Sequence, residues 1–88
     1  MTDLETQILG MTGCIALARK ESEDRLTRCS AITMAFMHAC NAATLADGSS
    51  RHALKLHDYK HAIRNCIVSM MLGIPFDQPL ANLKDWQP

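Results

Sequence analysis

The strongest constraint on the fold is a run of sixteen residues without a charged side chain, from Ala31 to Ala46. A helix that is apolar nearly all round must be buried on more than one side. On a helical wheel, five alanines of this run fall on one narrow stripe: Ala31, Ala35, Ala39, Ala42 and Ala46. Small side chains let another backbone approach closely. We therefore expect this stripe, together with Met34 and Met37, to form the interface of an oligomeric helical core.

The same run is a poor candidate for a membrane-spanning helix. Such a helix needs roughly 20 predominantly apolar residues, and here Thr33, His38, Asn41 and Thr44 interrupt the run. Charged residues also fill the turns just before it, over positions 21–28. The pattern predicts a helix buried in a protein core, and no membrane partner.

Length and composition narrow the class further. The chain has 88 residues, which predicts a single domain over positions 1–88. A chain this small buries only about 60% of its extended surface, so oligomerisation is a common way of stabilising it. The formal net charge of zero argues against a nucleic-acid-binding protein, which normally carries a basic stripe. Few aromatics and no alternation at period two favour an all-α fold.

Capping signals divide the chain into helices. Thr2 and Glu5 fit a capping box, and Ser22 is a suitable N-cap for the second helix. Gly48 can end that helix, and Ser49 or Ser50 can cap the third. The predicted helices span about residues 3–19, 23–46 and 51–72, and a tail covers 75–88.

The link between the second and third helices is short, so we expect an antiparallel helical hairpin preceded by an N-terminal helix. Helix three should bury an apolar stripe and stop at Gly73-Ile74-Pro75, because Pro75 disfavours helical geometry in the residue before it. A further helical turn is expected after Pro79. The stripe comprises Leu56, Ile63, Ile67, Met70 and Ile74, flanked by Tyr59, Cys66 and Met71, and the tail should pack onto the hairpin through Leu80, Leu83 and Trp86.

Two sets of histidines could carry chemistry. His57 and His61 are four residues apart on the polar face of helix three, a spacing at which two imidazoles can share a metal. A zinc site needs a third and usually a fourth protein ligand, which the sequence does not supply nearby. His38 is expected to pair with Asn41 or Tyr59. Without oxyanion donors or a glycine-rich loop, the chain is predicted to have no catalytic residues, metal or cofactor.

The cysteines are spread singly along apolar helical patterns, at Cys14, Cys29, Cys40 and Cys66, with no CxxC pair. Free thiols in such positions behave as small hydrophobes. The N-terminus has Asp3 and Glu5 where a signal peptide would carry basic residues. Reduced thiols and a cytoplasmic location are therefore expected.

Two short segments, residues 8–12 and 65–75, resemble the TraM family of helical antiactivators, which bind a quorum-sensing transcription factor. Gly10 and Thr12 match in the first segment. In the second, Asn65-Cys66-Ile67-Val68-Ser69-Met70-Met71-Leu72-Gly73-Ile74-Pro75 is similar to the end of that family's last helix. The resemblance implies a homodimeric helical bundle that sequesters a regulator.

The expected function is that of a small homo-oligomeric regulator or inhibitor, most simply a dimer, that sequesters an unidentified protein partner. The alternative is a protein that binds a small anionic, nucleotide-like ligand at subunit interfaces. Contacts to a ligand or partner are expected at two places. One is the basic cluster, which supplies Arg25 and Arg28, and the other is the polar face of helix three, which supplies His57, His61 and Arg64.

Overall fold

The computed structural model describes residues 2–46 and 51–86 and contains no strand within these ranges. The all-α prediction is therefore confirmed for this part of the chain. Its helices are α1 (Asp3–Ala18), α2 (Arg25–Leu45), α3 (Arg51–Met71) and α4 (Asp77–Asn82).

The first two helices each have an N-cap residue, and the sequence prediction named the wrong residue for the second helix. Thr2 caps α1 as expected and accepts a hydrogen bond from the Glu5 amide at 3.2 Å. The cap of α2 is Asp24 and not Ser22, since the Asp24 carboxylate accepts from the Thr27 amide at 2.7 Å. The hydrogen bonds from Thr27 lower the pKa of Asp24. A carboxylate at this position also interacts favourably with the helix dipole, so α2 begins two residues later than predicted.

The end of α3 follows the sequence prediction. Gly73 has a φ of +71°, a left-handed conformation that glycine adopts without strain. The Ile74 amide donates to the Ser69 carbonyl and the Gly73 amide to the Met70 carbonyl, both at 3.1 Å. This pair of bonds is a Schellman motif, which closes the helix. The predicted glycine stop of α2 and the serine cap of α3 lie outside the described residues.

α2 is the central helix and packs against both α1 and α3. Gln7 contacts His38 and Ala18 contacts Arg28, so α1 and α2 run in opposite directions. α3 turns Leu56, Ile63 and Cys66 into the core but leaves Met71 and Ile74 exposed. The predicted apolar stripe therefore does not extend to Ile74, because the turn at Gly73 carries this residue away from the helix axis.

The tail, residues 75–86, folds back onto α3 and confirms the expected packing of its apolar residues. Leu80 and Leu83 are buried, and the Trp86 ring meets the Tyr59 ring edge-on with centroids 5.6 Å apart. The extra helix begins at Asp77, earlier than predicted, with Pro79 inside its first turn. Amides of the first turn have no partner within a helix, so a proline is tolerated there.

Candidate interaction surface

From Ser30 to Leu45 the exposed side of α2 carries apolar side chains and no charge, whereas the exposed Arg25 lies at the start of the helix. Met34, Met37 and Leu45 are 50%, 58% and 48% exposed, and Leu26 extends the same side to the start of the helix. The polar residues between them bear only hydroxyl or amide groups. We define the outer face of α2 by these exposed residues: Leu26, Ser30, Thr33, Met34, Met37, Asn41, Thr44 and Leu45.

The alanine stripe lies on the opposite side of α2. Ala35, Ala39 and Ala42 have no exposed surface, and Ala31 and Ala46 are nearly as well buried. A side chain that is fully buried within one chain cannot contact a second copy of that chain. The stripe is thus a packing surface within the single chain. Of the interface residues expected from the sequence, Met34 and Met37 are the ones that remain accessible.

His38 lies at the border between the outer face and α1. Its Nδ1 atom is 2.7 Å from Oε1 of Gln7, and the Asn41 side-chain amide donates to the same oxygen at 3.4 Å. The expected partners Asn41 and Tyr59 are therefore replaced by Gln7. Gly10 makes room for the imidazole, since a Cβ atom there would lie 2.8 Å from His38 Cε1 and Nε2.

Replacing Gly10 by alanine should therefore give no net gain in stability in the parent protein. Alanine is favoured over glycine inside a helix by about 1 kcal/mol, but the added methyl must displace the His38 ring from Gln7. In a His38→Ala background the same change should raise the free energy of unfolding by about 1 kcal/mol. Urea denaturation of the four proteins of this double-mutant cycle measures the coupling.

Gly13→Ala is the matched control, because a Cβ atom at Gly13 would have no neighbour within 4 Å. We expect it to stabilise α1 equally in the parent and in the His38→Ala background. Equal stabilisation by Gly10→Ala and Gly13→Ala in the parent would contradict the proposed close contact.

The arginines of the basic cluster mainly hold the tail against the helices. The Arg28 guanidinium donates to the Ala18 carbonyl and to the Asp77 carboxylate, both at 2.8 Å, and its side chain is only 14% exposed. It also lies over the Phe76 ring, 5.0 Å from the centroid, while Arg25 lies 5.1 Å from the same centroid. These cation–π distances are within the attractive range.

Arg19 makes a second connection to the tail, through the Asp85 carboxylate at 2.6 Å and the Leu83 carbonyl. The Arg28 guanidinium is already engaged by protein groups, so a small anion would have to compete with them. Arg64, His57 and His61 are exposed on α3 as predicted. These arginine contacts have no local signal in the sequence, because their partners are many residues away.

His57 and His61 lie side by side on that exposed surface. Their Nε2 atoms are 3.1 Å apart, and their rings are nearly perpendicular, with centroids separated by 4.5 Å. Within residues 2–46 and 51–86, no three His, Cys, Asp or Glu side chains gather as a metal site of three protein ligands would require.

Two of the cysteines lie in surroundings that favour the protonated thiol. Burial raises the pKa of the Cys14 thiol, and it also raises the pKa of Cys66, which is almost fully covered. A catalytic cysteine normally needs a lowered pKa, because the thiolate is the nucleophile. Both cysteines take part in the packing of the core.

A groove of about 670 Å³ lies between α1 and the end of the tail. Leu4, Ile8 and Leu9 supply most of its apolar wall, Trp86 closes one side, and Glu5 and His52 are its ionisable members.

None of the helices in the described ranges combines the length and the apolarity that crossing a membrane requires. A scan against protein-family models and searches of curated proteins and of solved structures found no match to the chain.

Proposed function

We propose that the chain is a small homodimeric regulator or inhibitor that sequesters a partner protein and performs no catalysis. The observation that carries the proposal is the outer face of α2, where three large apolar side chains are about half exposed on a helix side without charge. Burying apolar surface is worth about 25 cal/mol per Å². This face therefore gains free energy when another protein covers it.

The composition of the face suits a protein partner better than a small ligand. Methionine is flexible and polarisable, and it is frequent on surfaces that bind several partners. No charged residue lies on α2 between Cys29 and Ala46, so the centre of such a contact would contain no charge from this helix. In this proposal α2 and α3 form the antiparallel hairpin expected from their short link, and the dimer brings two such hairpins into one bundle.

The resemblance of residues 8–12 and 65–75 to the TraM antiactivators supports the same proposal from the sequence. The structure adds a physical role for one matching residue, since Gly10 accommodates the His38 ring between α1 and α2.

Substituting Met37 by glutamate should abolish the dimer. Met37 is 58% exposed, so the substitution costs the isolated chain little, but it places a charge in the centre of the apolar contact. Central interface residues typically cost 2 kcal/mol or more when lost, about a 30-fold weakening of the dimer. Sedimentation equilibrium at micromolar concentration should show a dimer for the parent and a monomer for Met37→Glu.

Leu54→Glu is the control, since Leu54 is 78% exposed but lies on α3, away from the outer face. We expect this variant to dimerise like the parent, and to retain any protein that the parent captures from its host while Met37→Glu loses it. A monomeric parent, or equal behaviour of the two variants, would overturn the proposal.

A further inference from the structure

The exposed surface of α3 carries a second feature, which is independent of the protein-binding proposal. His57 and His61 both face solvent, one helical turn apart, with their Nε2 atoms 3.1 Å apart. A neutral imidazole has one ring nitrogen with an available lone pair, and either of its two nitrogens can be that one. The pair can therefore present two nitrogen lone pairs to a single ion.

We propose that His57 and His61 form a two-ligand site for a divalent transition-metal ion of the Zn²⁺ class. Imidazole nitrogens bind such ions at about 2.0–2.1 Å, so two of them on one ion lie about 2.9 Å apart at a right angle and about 3.3 Å apart at the tetrahedral angle. The observed separation of 3.1 Å falls between these values. Small rotations of the two exposed rings direct both lone pairs to one ion.

The proton balance of binding is simple. Each neutral imidazole carries one ring proton, on Nδ1 or on Nε2. When both Nε2 atoms coordinate the ion, both protons are on Nδ1, and a proton that was on Nε2 has moved there by exchange with water. No proton is released from the neutral pair, and a doubly protonated ring must first lose one proton to water.

The remaining coordination positions belong to water or to a group from another molecule. Asp58 is next to His57 in sequence but points about 100° away on the helix, as successive residues do. The cysteines Cys14 and Cys66 compete poorly, because a metal binds the thiolate and burial favours the thiol in both. The site therefore differs from a structural zinc site, and folding of the chain does not require the metal.

Isothermal titration of the reduced full-length protein with Zn²⁺ tests this site, with His57→Ala, His61→Ala and the double variant beside the parent. All three changes are at exposed positions, and circular dichroism verifies that the helices are retained. We expect one saturable Zn²⁺ per chain in the parent. Each single variant should lose it at concentrations that saturate the parent, as completely as the double variant, because two ligands of one chelate act as a unit.

Asp58→Asn is the matched control, since it removes a nearby negative charge and leaves both imidazoles in place. We expect it to retain saturable binding. Half-loss in each single variant would show two independent imidazoles, and unchanged binding in the double variant would place the ion on other ligands. Either result, or a parent without saturable binding, overturns the proposal.

Discussion

Replacing Phe76 by alanine should lower the free energy of unfolding by about 3–5 kcal/mol, the usual cost of removing a buried phenylalanine. The Phe76 side chain is only 2% exposed, and it lies at the start of the tail. Its ring is the common surface on which Arg25 and Arg28 rest, at 5.1 and 5.0 Å from the centroid. The substitution therefore leaves a cavity and also frees two guanidinium groups from the surface that orients them.

Phe76→Leu separates these two effects. Leucine retains most of the apolar volume but has no aromatic face, so the variant should lose the cation–π part and a smaller share of the packing. Urea denaturation followed by circular dichroism gives both free energies. If Phe76→Ala were no more destabilising than Phe76→Leu, the ring would not be the packed anchor of the tail.

Replacing Ala39 by leucine should destabilise the folded single chain by about 1–3 kcal/mol or more, the range found when a packed core is overfilled. Ala39 has no exposed surface, and it lies in the middle of a stripe made only of alanines. Three additional carbon atoms at this position must push α2 away from its neighbours. For a domain of this size, each kcal/mol lowers the melting temperature by about 4–8 °C.

Ala16→Leu is the matched control, because Ala16 is an exposed alanine in the last turn of α1. Leucine and alanine have similar helix propensities, so this variant should melt close to the parent. The loss in Ala39→Leu should also be independent of protein concentration, since the buried stripe contacts the same chain. A loss that appears only when the protein is diluted would instead point to a contact between subunits.

The alanine stripe of α2 shows which structural features helical periodicity can predict and which it cannot. A pattern of residues at helical spacing identifies the side of α2 that is buried, and all five alanines are indeed buried. It does not say which chain supplies the covering surface. In this structure α1 and α3 of the same chain supply that surface, since both pack against α2.

Features that depend on neighbouring residues in the sequence were mostly predicted, whereas contacts between residues far apart in the sequence were not. The cap at Thr2 and the stop at Gly73 depend on residues within a few positions, and the structure contains both. The proximity of His57 and His61 likewise follows from their spacing of four residues. In contrast, Gln7 is 31 residues from His38 and Asp77 is 49 residues from Arg28. No pattern within one helix can indicate such pairs.

The contacts of the tail also bear on the order in which the structure assembles. α1 with α2, and α2 with α3, are neighbours along the chain, so their packing closes short loops, and domains rich in such local contacts fold rapidly. The tail packs on the preceding α3, but its arginine contacts span much longer distances, 49 residues for Arg28 with Asp77 and 66 for Arg19 with Asp85. Loop-closure entropy grows only with the logarithm of length. The three long helices can therefore pack first and the tail can attach last. In that order the tail adds stability without slowing the formation of the folding nucleus.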